Sequence, residues 1–159
     1  MTDRDKVLWS EGMFLGPHHF QLWDRQQAAE LHERVQALES AFWGLSDLEV
    51  DRDALRAGQF VLRRCRGLFR DGTSFRVPEH DTPPGSQDIR SAFDAARTEL
   101  TVYLAVPTER VGGNVVDAAR KKESVARYVR DSATVIDAVD GASRRDVEVA
   151  RKNMRVLFE

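Results

Sequence analysis

With 159 residues, 42% of them hydrophobic, the chain is long enough to close one domain around a core. The 24 Lys and Arg against 26 Asp and Glu leave a formal charge of -2, which argues against a dedicated nucleic-acid binder or a membrane-surface protein. The single cysteine, Cys65, excludes an internal disulfide and fits a reducing compartment.

The chain opens on an aromatic strap. Val7 to Gln26 reads VLWSEGMFLGPHHFQLWDRQ, and Trp9, Met13, Phe14, Leu15, Phe20, Leu22 and Trp23 are too much apolar surface for a frayed terminus. Lys6 is followed by only a few apolar residues before Ser10-Glu11, so no signal peptide is expected. No apolar run approaches the roughly 20 residues that span a bilayer, and a cytoplasmic protein is expected. Residues 5–16 read as the strap. Pro17 suits the first helical position, where its missing N–H costs nothing and its φ is preset. Ala28, Leu31, Val35, Leu38 and Phe42 then step by three and four, which predicts an apolar helix stripe over 17–43, ended by Gly44.

Strand patterns fill 45–158. Leu45 to Val50 alternates, Asp51 to Gly58 is turn-rich, and Gln59 to Phe69 is strand-like. Asp71-Gly72 predicts a two-residue primed hairpin turn, with Phe75 and Val77 on the return strand. His80 to Gln87, with Pro83-Pro84-Gly85, reads as a loop outside any ladder. Leu100, Val102, Leu104 and Val106 share one strand face, which predicts a buried Leu104 and less buried Thr101 and Tyr103. Arg110 to Ser124, with Arg120-Lys121-Lys122-Glu123, reads as a mobile loop. Strand character returns over Val125 to Val139, Asp140-Gly141 is a turn, and Val147 to Phe158 reads as a last strand. That strand lacks a closing turn or polar tail, which suggests the N-terminal part of a longer protein. The expected fold is mainly β, an antiparallel β-sandwich with one long N-terminal α-helix, in one domain over 1–159.

Candidate chemistry is sparse. His18 and His19 are adjacent, so on a helix they point about 100° apart and cannot chelate together. No Cys or carboxylate cluster stands nearby at zinc-like spacing, and no metal or cofactor is expected. Cys65 lies among Arg63, Arg64 and Arg66, and positive charge favours a thiolate. Strand alternation leaves only Arg63 on its face, so a buried structural cysteine is the better reading and an enzyme is not expected. Arg63, Arg64, Arg66, Arg70, Arg127, Arg130, Arg144, Arg145, Arg151 and Arg155 could line a phosphate-binding face. Interleaved acids instead suggest a solvated sheet with cross-strand ion pairs. The strap is different, because Trp, Phe and Met are enriched where partners dock.

Trp9, Ser10, Glu11, Gly12, Met13, Phe14, Leu15, Pro17, His19, Phe20 and Gln21 resemble the N-terminal signature of the TssK family of type VI secretion baseplate proteins. Arg64 to Thr73, Val102 to Pro107 and Glu148 to Leu157 resemble later parts of the same region, while Gly16 and His18 depart from residues common there. The resemblance implies a β-sandwich shoulder with a helix, similar to that of siphophage receptor-binding proteins. It further implies docking onto a wedge of TssF and TssG, and self-association as a trimer at the inner face of the cell envelope. A phage-tail-type adaptor or receptor-binding shoulder is the alternative. The expected partner-binding residues are Met13, Phe20, Trp23, Trp9 and Phe14. Trp9 and Phe14 should be mainly buried to fix the strap, with Met13, Phe20 and Trp23 turned toward a partner.

Overall fold

The computed structural model describes residues 5–39, 41–90, 92–93, 98–109, 113–118 and 124–159. In chain order the elements are α1 (Pro17–Leu38), β1 (Gly44–Val50), α2 (Arg52–Arg56), β2 (Gln59–Phe60), β3 (Leu62–Leu68) and β4 (Ser74–Val77). They are followed by β5 (Gln87–Asp88), β6 (Val102–Ala105), β7 (Val116–Asp117), β8 (Tyr128–Ile136), β9 (Arg144–Lys152) and β10 (Arg155–Phe158). The mainly β fold with one long N-terminal helix is as expected. The strands form sheets in the orders β1-β3-β4, β10-β6, β2-β5 and β7-β8-β9. β10 with β6, β2 with β5 and β8 with β9 pair antiparallel, while β7 pairs with β8 in parallel. The chain contacts fall into two compact units, Met1–Leu45 with Gly67–Ser74 and Ser46–Arg66 with Phe75–Glu159.

In the first unit, Pro17 opens α1 and Gly16 is its N-cap. Gly16 has no side chain to cap with, so His19, three residues on, accepts the Gly16 N–H at Nδ1 over 3.1 Å. The helix ends at Leu38, five residues before the expected Trp43. Glu39 turns extended, and its N–H closes the last helical bond onto Val35 O at 3.0 Å. The aromatics beyond serve tertiary contacts instead. Phe42 meets the His32 ring edge-on at 5.3 Å, and the Arg70 guanidinium sits 4.3 Å from the Trp43 ring centre. The β3–β4 hairpin also departs from the two-residue expectation. Gly72 N–H bonds Phe69 O and Phe69 N–H bonds Thr73 O, so Arg70-Asp71 are the central pair. Gly72 follows them at φ +79°, where only glycine is unstrained, as in a turn closed by a bulge.

The second unit holds the apolar core of Leu62, Cys65, Phe75, Val77, Ala126, Met154 and Val156. Leu62 and Cys65 are both buried although three apart, so strict alternation does not hold along β3. In β6, Leu104 is half-buried opposite the buried Val156 while Thr101 and Tyr103 are exposed. The predicted faces are right, but Leu104 is less enclosed than expected. The turn-rich 51–58 contains α2, capped by Asp51, whose carboxylate accepts the N–H groups of Asp53 and Ala54. Gln87 pairs with Phe60, so the 80–87 loop does join a ladder at its end. The last strand is broken into β9 and β10 at Asn153, whose side chain donates to Ser124 O and Ala126 O. There the chain leaves β8 and moves to β6. The predicted turn at Asp140-Gly141 joins β8 to β9, with Gly141 at φ +65°. The basic run 120–123 and Gly112 lie outside the described residues.

Candidate docking surface

The helix turns its faces the other way round from what its periodicity predicts. The half-buried or buried row is His19, Leu22, Gln26, Ala29, His32 and Val35, spaced by three and four. Polar contacts occupy it. Gln26, the one buried residue of α1, donates to Glu30 at 2.9 Å and accepts from Gln27 at 2.8 Å. His32 lies against Gly72, where an added Cβ would come within 2.3 Å of the ring nitrogen. Of the expected inner stripe, Ala28, Leu31 and Leu38 are exposed and Val35 is half-buried. Phe20, Trp23, Leu31 and Leu38 thus form an outward apolar row at helical spacing, interrupted by Gln27 and by Arg34, which is paired to Glu30. Arg34 first, and Lys6 more weakly, hold the Glu30 carboxyl below its ordinary value.

The strap lies beside this row. Trp9 rests 6.4 Å from both the His19 and Phe20 rings, tilted 40° and 53°. That contact orders the strap without burying it: Trp9 is 49% exposed, and Phe14 is 91% exposed. Both residues therefore depart from the expectation that they fix the strap in a core. Packing onto one helix edge cannot enclose a large ring as two sheets would. Phe20 at 51% and Trp23 at 50% are exposed, and Met13 is half-buried. Leu8, Leu31 and Leu38 belong to the same exposed set, although the helix periodicity assigns Leu31 and Leu38 to the covered stripe. The stripe in α1 is the available signal, and the hydrogen bonds of Gln26 together with the packing of His32 on Phe42 reverse its sense.

Little else on the described chain offers chemistry. Cys65 is 1% exposed, and burial first, then Asp47, pushes its thiol upward, away from the thiolate an active cysteine needs. Its neighbouring arginines are taken up: Arg63 bonds Asp51, Arg64 bonds Asp47 and Glu49, and Arg66 bonds Glu79. Among the described residues no group of three His, Cys, Asp or Glu is placed to hold a metal. A groove of about 350 Å³ lies between Thr82–Gly85 and the β8–β9 pair. Its cations are engaged as well, Lys152 with the buried Asp81 at 2.7 Å and Arg151 with His80 O at 2.8 Å. No helix among the described residues is long and apolar enough to cross a membrane.

Residues 19–159 match the family described as bacterial type VI secretion, VC_A0110, EvfL, ImpJ, VasE. The chain is 34% identical over 164 residues to the type VI secretion system baseplate component TssK1 of Pseudomonas aeruginosa, covering 100% of the chain and 35% of that relative. It thus spans about a third of the curated relative's length. A crystal structure of TssK superposes with a TM-score of 0.86 at 32% identity, over 99% of this chain and 35% of that one. A chain of the TssK-TssF-TssG baseplate subcomplex, at 24% identity, shares the fold with a TM-score of 0.84, over 97% of this chain and 50% of that one. The chain belongs to the type VI secretion family of VasE, ImpJ and EvfL.

Proposed function

We propose that this chain is a docking module of a type VI secretion baseplate. It binds wedge subunits of the TssF and TssG kind, self-associates as a trimer, and works on the cytoplasmic side of the envelope without catalysing a reaction. The observation that carries the reading is the exposed apolar row of α1 with the aromatic strap beside it. Large apolar patches on the surface of folded domains mark binding sites. The family match and the TssK1 relative, itself a baseplate component, support the setting. The solved subcomplex that contains TssF and TssG supplies the candidate partners. The high thiol pKa and burial of Cys65 support a structural role for the only cysteine.

Phe20 and Trp23 are the proposed anchors, with Met13, Trp9 and Phe14 contributing from the strap. The test is a titration of the purified chain against a TssF–TssG wedge. Saturable binding is expected, and no binding at any accessible concentration would overturn the wedge reading. Wedge binding that required a free Cys65 thiol would count against a purely structural cysteine.

A further inference from the structure

The β8–β9 pair continues beyond the rest of its sheet. Its register runs from Tyr128↔Lys152 to Ile136↔Arg144, whereas β7 covers only Tyr128 and Val129 on the other side of β8. Among the described residues, the β8 edge from Ser132 to Ile136 therefore has no neighbouring strand. The two outer edges of this ribbon differ in charge. On β9, Arg144, Arg145, Asp146 and Glu148 place charges that discourage strand addition. On β8, Ser132 to Ile136 is uncharged and includes the β-branched Thr134, Val135 and Ile136, with Val135 and Ile136 exposed. An uncharged, β-prone edge of this kind is a template for another strand.

The same chain carries a segment that fits that edge. Strap residues Val7, Leu8 and Trp9 have extended, non-helical backbone, and among the described residues they make no backbone hydrogen bond. Val7 to Ser10 is uncharged, Lys6 precedes it, and Leu8 is 85% exposed. Laid antiparallel on β8 of another copy, Lys6 falls opposite Asp137, Val7 opposite Ile136, Leu8 opposite Val135 and Trp9 opposite Thr134. Glu11 then meets Ser132, so no like charges face each other. Asp137 is exposed at the ribbon's tip.

We propose that the strap of one copy adds as a strand to the β8 edge of a second copy, with Lys6 and the second copy's Asp137 fixing the register. The inference rests on the self-association proposed above and names its contact. Opposite-charge pairs directly across strands contribute to register. The contact is head-to-tail, so it propagates from copy to copy and closes into a ring if the rotation allows.

Two measurements on the 159-residue chain test it. Sedimentation equilibrium should show self-association, weakened about fivefold or more by Lys6→Asp or by Asp137→Lys, and restored when both are combined. Leu8→Cys with Val135→Cys should form intermolecular disulfides on mild oxidation, since directly opposed strand residues fall within disulfide reach. Cys65 is left in place, buried, and Leu8→Cys alone should not yield the same ladder. Unchanged self-association in both charge variants without cross-linking would overturn the contact while leaving self-association intact. A wild-type chain that stays monomeric at every concentration would overturn both.

Discussion

At the scale of single residues, the second unit depends on a few enclosed side chains. Phe75 and Val77 point inward from β4 while Ser74 and Arg76 are exposed. Phe75→Ala should therefore cost about 3–5 kcal/mol, measured by urea unfolding. Leu104→Ala should cost less than the same truncation at a buried leucine, because Leu104 is half-buried. Asp81 is a different kind of staple. Its carboxylate is buried, accepts the Arg76 N–H at 2.8 Å and pairs with Lys152 at 2.7 Å. Asp81→Ala would leave Lys152 without its partner and should cost roughly 3 kcal/mol, with Asp81→Asn milder because it keeps an acceptor for Arg76. In the first unit, Gly72→Ala meets both a positive φ and the His32 ring, and the same unfolding assay should show clear destabilisation. Equal stability of that variant would mean the β3–β4 turn can relax away from α1.

At the scale of elements, α1 is the place where stability and binding separate. Its half-buried or buried row mixes Leu22, Ala29 and Val35 with His19, Gln26 and His32, while its outer row of Phe20, Trp23, Leu31 and Leu38 is exposed. Truncating the outer row should therefore leave the fold unchanged. A hot-spot side chain is worth about 2 kcal/mol or more, so Trp23→Ala should weaken wedge binding about thirtyfold. Circular dichroism and thermal unfolding of the same variant should match the parent. If Trp23→Ala unfolds the chain, the residue belongs to the core; if neither quantity moves, the wedge meets another surface. The helix also shows how a correct period can mislead. The i, i+3, i+4 pattern located α1 and its Pro17 start correctly. Which face turns inward was decided by Gln26, His32 and the close approach permitted by Gly72.

At the scale of the whole molecule, several carboxylates, from the half-buried Asp51 to the exposed Glu79 and Asp140, are held low in the folded state. Asp51 is lowered first by the Ala54 N–H and then by Arg63, Glu79 first by Arg66, and Asp140 first by Ser143. Each folded value lies below the unfolded one. The stability they contribute is thus complete above the unfolded carboxylate range near pH 4 and is lost as pH falls through the folded values. Unfolding by urea at pH 7 and pH 3 should show a loss at the lower pH, and Asp51→Asn should narrow the difference. An unchanged difference would mean Asp51 does not feel its partners in solution. Taken over the whole chain, local signals were legible because they depend on neighbours in sequence. The Pro17 start, the turns near Gly72 and Gly141, the β6 alternation, the burial of Cys65 and the aromatic strap were all visible this way. The strap's composition also carried the expectation of a docking surface. Contacts between distant residues decided the rest. The helix stops at Leu38 because Phe42 and Trp43 have partners at His32 and Arg70, and the last strand breaks where Asn153 reaches Ser124 and Ala126. Trp9 and Phe14 remain exposed because no second layer covers them in the described chain. Periodicity says that a face is apolar; only the tertiary structure decides whether that face is covered.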